Sequence, residues 1–142
     1  MKTKAKLIAL IFASIGLLLD VVLLIYSLIN KPVPCLSGNI DNIQINCSKV
    51  LNSNFSSFLG IKLSFLALIW FVLLILSLLF LSNYHKFELI LLIFGVVGIL
   101  FVIYSLITQM SYIQALCIYC IGMDASLLGY FILSVISFIK KI

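Results

Sequence analysis

Hydrophobic residues fill four long runs of this chain, and polar residues gather between them. The runs cover about residues 7–29, 58–81, 87–108 and 112–139. Each reaches or exceeds the roughly 20 apolar residues a helix needs to cross the hydrocarbon core of a bilayer. The pattern predicts an all-α integral membrane protein: a four-helix bundle forming a single domain over residues 1–142. The first run is too long for a signal-peptide core and lacks a small-residue cleavage site after it, so a retained helix is expected. Short polar segments, 82–86 and Gln109–Ser111, join the second, third and fourth runs, which predicts antiparallel neighbours. The one long connection, residues 30–57, holds Pro32, Pro34 and several Asn and Ser. A short helix is expected within it, with Ser48 as N-cap before Lys49-Val50-Leu51, and Ser56 or Ser57 capping the second long helix.

Composition agrees with a bilayer as solvent. The 142 residues are 65% hydrophobic and 9% charged, against about 25% charged in a soluble domain. No soluble fold of this length has the interior to hide so much apolar surface. The net charge is +5, all of its cations lysine. Those lysines flank the hydrophobic runs, with no aromatic interleaving and no phosphate-cradling glycine loop, so the implied partner is the lipid bilayer and not nucleic acid. Lys2, Lys4, Lys6, Lys86, Lys140 and Lys141 fall on one side, and Lys31, Lys49 and Lys62 on the other. That bias predicts a multi-pass cell-membrane protein with both termini cytoplasmic and the long loop outside. Gly95 and Gly98 in the third run are expected to permit close helix packing.

The four cysteines, Cys35, Cys47, Cys117 and Cys120, all fall toward the outer side, which suits an oxidising face of the membrane. Cys117 and Cys120 share one helical face at i and i+3. Counted from Tyr112, they lie roughly 8–12 Å into the fourth helix at ~1.5 Å per residue. The loop pair is separated by eleven residues, enough reach for a mobile segment. A mobile pair and a fixed pair on one face suit thiol–disulfide exchange, in which a thiolate attacks a disulfide sulfur. Three other readings stand beside it. The helix cysteines could be small packing residues, the loop pair could be a purely structural disulfide in a membrane scaffold, or all four could hold zinc. A closed zinc site is usually built from short soluble turns.

Three stretches carry a resemblance. Cys47-Ser-Lys-Val-Leu-Asn-Ser53, Phe58-Leu-Gly-Ile-Lys-Leu-Ser64 and Tyr112-Ile-Gln-Ala-Leu-Cys117-Ile-Tyr-Cys120 resemble the vitamin K epoxide reductase family. Four helices, a cysteine-bearing loop after the first and Cys-x-x-Cys in the fourth extend it over nearly the whole chain. Bacterial disulfide-forming oxidases of a second type share the logic but keep both pairs in external loops. The resemblance implies a route: a thioredoxin-like partner exchanges with Cys35, Cys47 with Cys117, and Cys120 reduces a membrane quinone such as ubiquinone or menaquinone, without a metal. It also implies that Ser53 hydrogen-bonds the quinone oxygen; the plainer reading is a short-helix capping residue. Phe55 and Tyr119 are candidate ring contacts. No fused thioredoxin-like domain follows Ile142, so the partner is expected in trans. Asp124 stands where the vertebrate enzymes have tyrosine, and their long membrane-anchoring insertion is missing. Both differences favour plain quinone reduction over the vitamin K epoxide, which stays open as an alternative.

Asp124 lies four residues after Cys120 and seven after Cys117, on the same helical face. A charged aspartate at the bilayer centre costs at least about 2.5 kcal/mol, which favours the neutral acid. Such an acid could give the quinone one of its two protons. Asp20, at similar depth in the first helix, is the second candidate. An interhelical hydrogen bond is the alternative role for each.

Overall fold

The computed structural model describes residues 3–36, 38–81 and 86–141. Among these residues four helices are long and apolar enough to span a membrane: α1 (Thr3–Leu28), α3 (Leu63–Phe80), α4 (Phe87–Ile107, continued by a π-helical turn to Ile113) and α5 (Ile118–Lys141). A short helix, α2 (Cys47–Leu51), sits in the long connection. Large apolar side chains such as Leu18, Leu100 and Ile132 point outward, where a membrane would solvate them. Of the 82–86 turn, Tyr84 and His85 included, only Lys86 falls among the described residues.

α1 packs against α5 and α3, and α5 packs against α4. The consecutive helices α3 and α4 touch least of these pairs, so the expected row of antiparallel neighbours is tight between α4 and α5 and narrow between α3 and α4. α3 and α4 meet near the termini, where Leu74 and Leu78 pack with Phe87 and Leu91 around Ala9, Ala13 and Tyr130. Toward the cysteine end a cavity takes the place of that contact.

Lipid is as apolar as leucine, so close fit and not hydrophobic drive holds such helices together. The glycines supply the fit: Phe131 of α5 lies against Gly95, and Phe12 of α1 against Gly129. A Cβ at Gly95 would come within 2.8 Å of Phe131 Cδ2 and 3.6 Å of its Cα. Gly95→Leu is therefore expected to overpack the α4–α5 interface and cost about 1–3 kcal/mol. The measurement is the unfolding midpoint in detergent, and an unchanged midpoint would show that the interface yields freely.

Two predicted helix starts are corrected. The second helix does not begin at Phe58. Ser57–Phe58 (β3) pairs antiparallel with Ile61–Lys62 (β4) across Leu59 and Gly60, whose φ of 52° and 81° no right-handed helix can continue through. Ser56 and Ser57 therefore do not cap α3; their hydroxyls donate to carbonyls of 51, 53 and 54. Lys62 starts α3, and its Nζ ties that end to α1 by donating to Ser27 O and Oγ at 3.0 and 2.7 Å. The fourth helix does not begin at Tyr112. The π-helical turn Thr108–Ile113 prolongs α4, Gln114 reverses the chain at φ 52°, and Ala115–Leu116 (β5) is extended before α5 starts.

The long connection is more ordered than a swinging loop. Gly38–Ile40 (β1) and Ile43–Ile45 (β2) form a hairpin, and β2 pairs in parallel with β5, Gln44 opposite Ala115 and Ile45 opposite Leu116. Gln44 N donates to Gln114 O at 3.1 Å and Asn46 N to Leu116 O at 3.0 Å. The ladder ends at Asn46, whose side chain accepts from Lys49 N at 3.1 Å and so caps α2, two residues before the expected Ser48. Ser48 Oγ instead accepts from Val33 N at 3.2 Å, holding the Pro32–Pro34 segment.

Candidate functional site

Parallel pairing of β2 with β5 brings the cysteines together. Ile45 lies opposite Leu116, so Cys47 and Cys117 follow at the ends of two paired strands. Each is fully buried in one apolar cluster with Leu23, Val33, Val50, Ile113 and Ala115, and Cys35 and Cys120 pack against its edge. Cys35 and Cys47 form a disulfide with Cα atoms 6.1 Å apart, while Cys117 and Cys120 are free thiols. Among the described residues no group of three or more His, Cys, Asp or Glu is arranged to hold a metal.

Cys117 is not inside the helix as its spacing suggested, but directly before it. Its carbonyl accepts the first helical bond, from Ile121 N at 2.9 Å, so it occupies the N-cap position. Its Sγ then does what a serine hydroxyl does there, accepting from Cys120 N at 3.4 Å. The Cys120 thiol beside it, together with the N–H groups of Cys120 and Tyr119, holds the Cys117 thiol below the ordinary cysteine range. A stabilised thiolate makes Cys117 a good leaving group when a mixed disulfide with the loop is resolved.

Ala115 is the spacer of this arrangement, buried to 0% exposure beside the cysteines. Ala115→Leu is expected to force Cys47 and Cys117 apart and slow exchange between the pairs at least about tenfold. Thiol alkylation time courses measure it, and an unaltered rate would show that their approach does not depend on this packing.

On the far side of Cys120 lies a cavity of about 110 Å³ between α3 and α4, roofed by α2 and the turn after it. A cavity of roughly 150 Å³ holds a benzene ring, so the space is of the order of one aromatic ring. Of the four cysteines only Cys120 is on its wall, joined by Asp124, Ser53, Phe55, Trp70, Phe71, Tyr104 and Ser105. Phe55 leans on Tyr112 with ring centroids 5.0 Å apart and separates the cavity from a polar hollow lined by Asn46, Lys49, Asn52 and Asn54. Ser53 Oγ donates to Val50 O at 2.8 Å, a turn-closing bond that leaves its oxygen able to accept.

The remaining expected residues divide. Asp124 lines the cavity and accepts from Ser105 Oγ at 3.0 Å. Asp20 is fully buried on α1, outside the cavity wall, with no hydrogen-bond partner on either oxygen among the described residues, though within electrostatic reach of Cys120. Tyr119 turns away from the cavity: its hydroxyl donates to Pro34 O at 2.9 Å and so fastens the residue before Cys35. The sequence reading missed Ser105 and Gln109. Gln109 donates to Ser105 Oγ at 2.9 Å and accepts from Cys117 N at 3.0 Å. Their spacing of four at the end of an apolar run, where polar side chains need partners, was the available signal. Trp70 also lines the cavity and lies tilted against Phe94, with ring centroids 4.7 Å apart.

A loop disulfide set against a thiol pair at the head of a membrane helix, with a ring-sized cavity behind the second thiol, is the equipment of a membrane thiol–disulfide oxidoreductase. The chain matches the vitamin K epoxide reductase family over residues 7–135, and it belongs to that family. No curated protein matches it. Members of the family are membrane oxidoreductases that act on quinone-type substrates and work with thioredoxin-like partners.

Proposed function

We propose that this chain is a quinone-dependent thiol–disulfide oxidoreductase that supports disulfide bond formation, with a thioredoxin-like partner acting in trans. The partner's dithiol attacks Cys35 of the Cys35–Cys47 disulfide, leaving two loop thiols and an oxidised partner. Cys47 then attacks a Cys117–Cys120 disulfide at Cys117. Cys35 closes on Cys47 and releases the reduced pair. The observed state, a loop disulfide facing two free thiols, is the one that follows this transfer. In the last step the two thiols become a disulfide, and their two electrons and two protons convert a quinone to its hydroquinone.

One observation carries this reading: Cys47 and Cys117 share a buried cluster while Cys120 reaches the cavity, which supports an unbroken sulfur path from loop to lipid. Asp124 is read as a proton donor to the quinone, with Asp20 behind it. Ser53 is read as the hydrogen-bonding partner of a quinone oxygen and Phe55 as a ring contact, because both line the cavity. The bond from Tyr119 to Pro34 supports a role in holding Cys35 for the partner. The lysine bias supports cytoplasmic termini and an active site on the outer side. The test is quinone reduction by the purified chain with a dithiol donor, followed by the quinone's absorbance. One quinone consumed per dithiol oxidised is expected. A rate no higher than that of buffer would end the proposal.

A further inference from the structure

Asp124 stands at the end of a hydrogen-bond chain whose direction is set by the backbone. The Cys117 N–H can only donate, and it donates to Gln109 Oε1 at 3.0 Å. That orients the amide, so the end meeting Ser105 Oγ at 2.9 Å is Nε2. An amide nitrogen only donates. Ser105 therefore accepts from Gln109, and its single proton is directed to Asp124 Oδ2, 3.0 Å away. With Oδ2 occupied as an acceptor, a neutral Asp124 carries its own proton on Oδ1.

We propose that Gln109 is a positioning residue that sets the direction of this chain and, through Ser105, holds Asp124 with its acidic proton on the oxygen Ser105 does not bind. The proposal rests on the reading of Asp124 as the acid of quinone reduction. Gln109 is 2% exposed and sits on the π-helical turn that prolongs α4. Turns of this kind, with one residue more than an α-turn, recur at functional sites because they re-aim side chains. Here the turn gives one side chain two tasks: it grips the backbone of the exchanging cysteine and orients the hydroxyl next to the acid. In the step itself the O–H bond of Asp124 breaks as an O–H bond forms on the acceptor. The electron pair comes from the Cys117–Cys120 thiols as their disulfide forms. Those thiols release two protons: one restores Asp124 and the other completes the hydroquinone, so atoms and charge balance. Throughout, Ser105 still donates to Oδ2, which stabilises the transient carboxylate.

The titratable groups facing this chain are Cys117 and Cys120 at the head of α5, Asp20 on α1 and Tyr104 on α4. The α3 side of the cavity presents only apolar, indole and hydroxyl groups among the described residues.

Gln109→Glu separates direction from shape. While the new carboxyl is protonated it still accepts from Cys117 N–H and still donates to Ser105. Once ionised it accepts at both ends, Ser105 turns its proton back toward residue 109, and Asp124 loses its donor. Quinone reduction by the full chain with a dithiol donor is expected to stay within about twofold of the unaltered protein at acid pH. It should then fall at least about tenfold relative to that protein as the variant's carboxyl ionises. A constant ratio across pH overturns the proposal. Ser105→Ala supplies a second readout that does not depend on the first variant folding. In infrared difference spectra between the oxidised and reduced chain, the carboxyl band abolished by Asp124→Asn is expected to shift in Ser105→Ala. An unshifted band overturns the proposal too. Should Asp124→Asn turn over at full rate, the acid reading fails by itself, and the infrared band still reports whether the chain of bonds exists.

Discussion

Cys120→Ala is expected to abolish quinone reduction, lowering it by at least about a thousandfold, while the Cys35–Cys47 disulfide still forms. The reason is positional. Cys120 is the one cysteine on the cavity wall, and Cys117 is buried behind it. Removing Cys120 leaves Cys117 able to exchange with Cys47 but without a partner to close the second disulfide, so electrons stop one sulfur short of the quinone. The double variant Cys35→Ala/Cys120→Ala makes the same point from the other side. Only Cys47 and Cys117 remain, and mild oxidation should join them, because they already lie in one packed cluster. Alkylation followed by a gel shift reads the cross-link. A double variant in which the two sulfurs never join would break the relay, whatever the rate of the single variant.

Asp124→Asn is the second large effect expected, a fall of about 100-fold in quinone turnover, since a positioned proton donor contributes about 10²–10⁴-fold. Asparagine keeps the size of the side chain, and its carbonyl can still accept from Ser105 Oγ, which now spans 3.0 Å to Asp124 Oδ2. What it lacks is an ionisable proton. Exchange between the two cysteine pairs should therefore run at the normal rate while hydroquinone forms slowly, and a stopped-flow experiment that follows sulfur and quinone separately distinguishes the two phases. Undiminished turnover across pH would reduce Asp124 to an interhelical hydrogen bond between α4 and α5. Asp20→Asn is expected to act more weakly, because Asp20 lies outside the cavity wall.

Under the proposed function a membrane location follows from the chemistry and is not incidental to it. Protein thiols stay in water and quinones stay in lipid, so a single chain must present sulfur to each. The site meets that need with one sulfur pair in a capped surface layer and a second at the head of a spanning helix.

The amino-acid sequence by itself determined the four spanning helices, the shared side of all four cysteines and the placing of Asp124 one turn below Cys120. Each follows from local rules: apolar length against bilayer thickness, lysine flanks, and helical spacing. Tertiary structure alone decided how the sulfurs meet. The strands that carry Cys47 to Cys117 are two and three residues long and lie 70 positions apart, too short and too distant to leave a periodic signal. That pairing also draws residues 115–116 out of the fourth helix, so Cys117 becomes a cap and not an interior residue. The same holds for Ser53 and Asp124, which share a cavity only because α3 leans on α1 and leaves a gap beside α4. Hydrophobicity sets which segments leave water; which polar groups then face one another depends on backbone hydrogen bonds between segments, and these carry no mark in either segment alone.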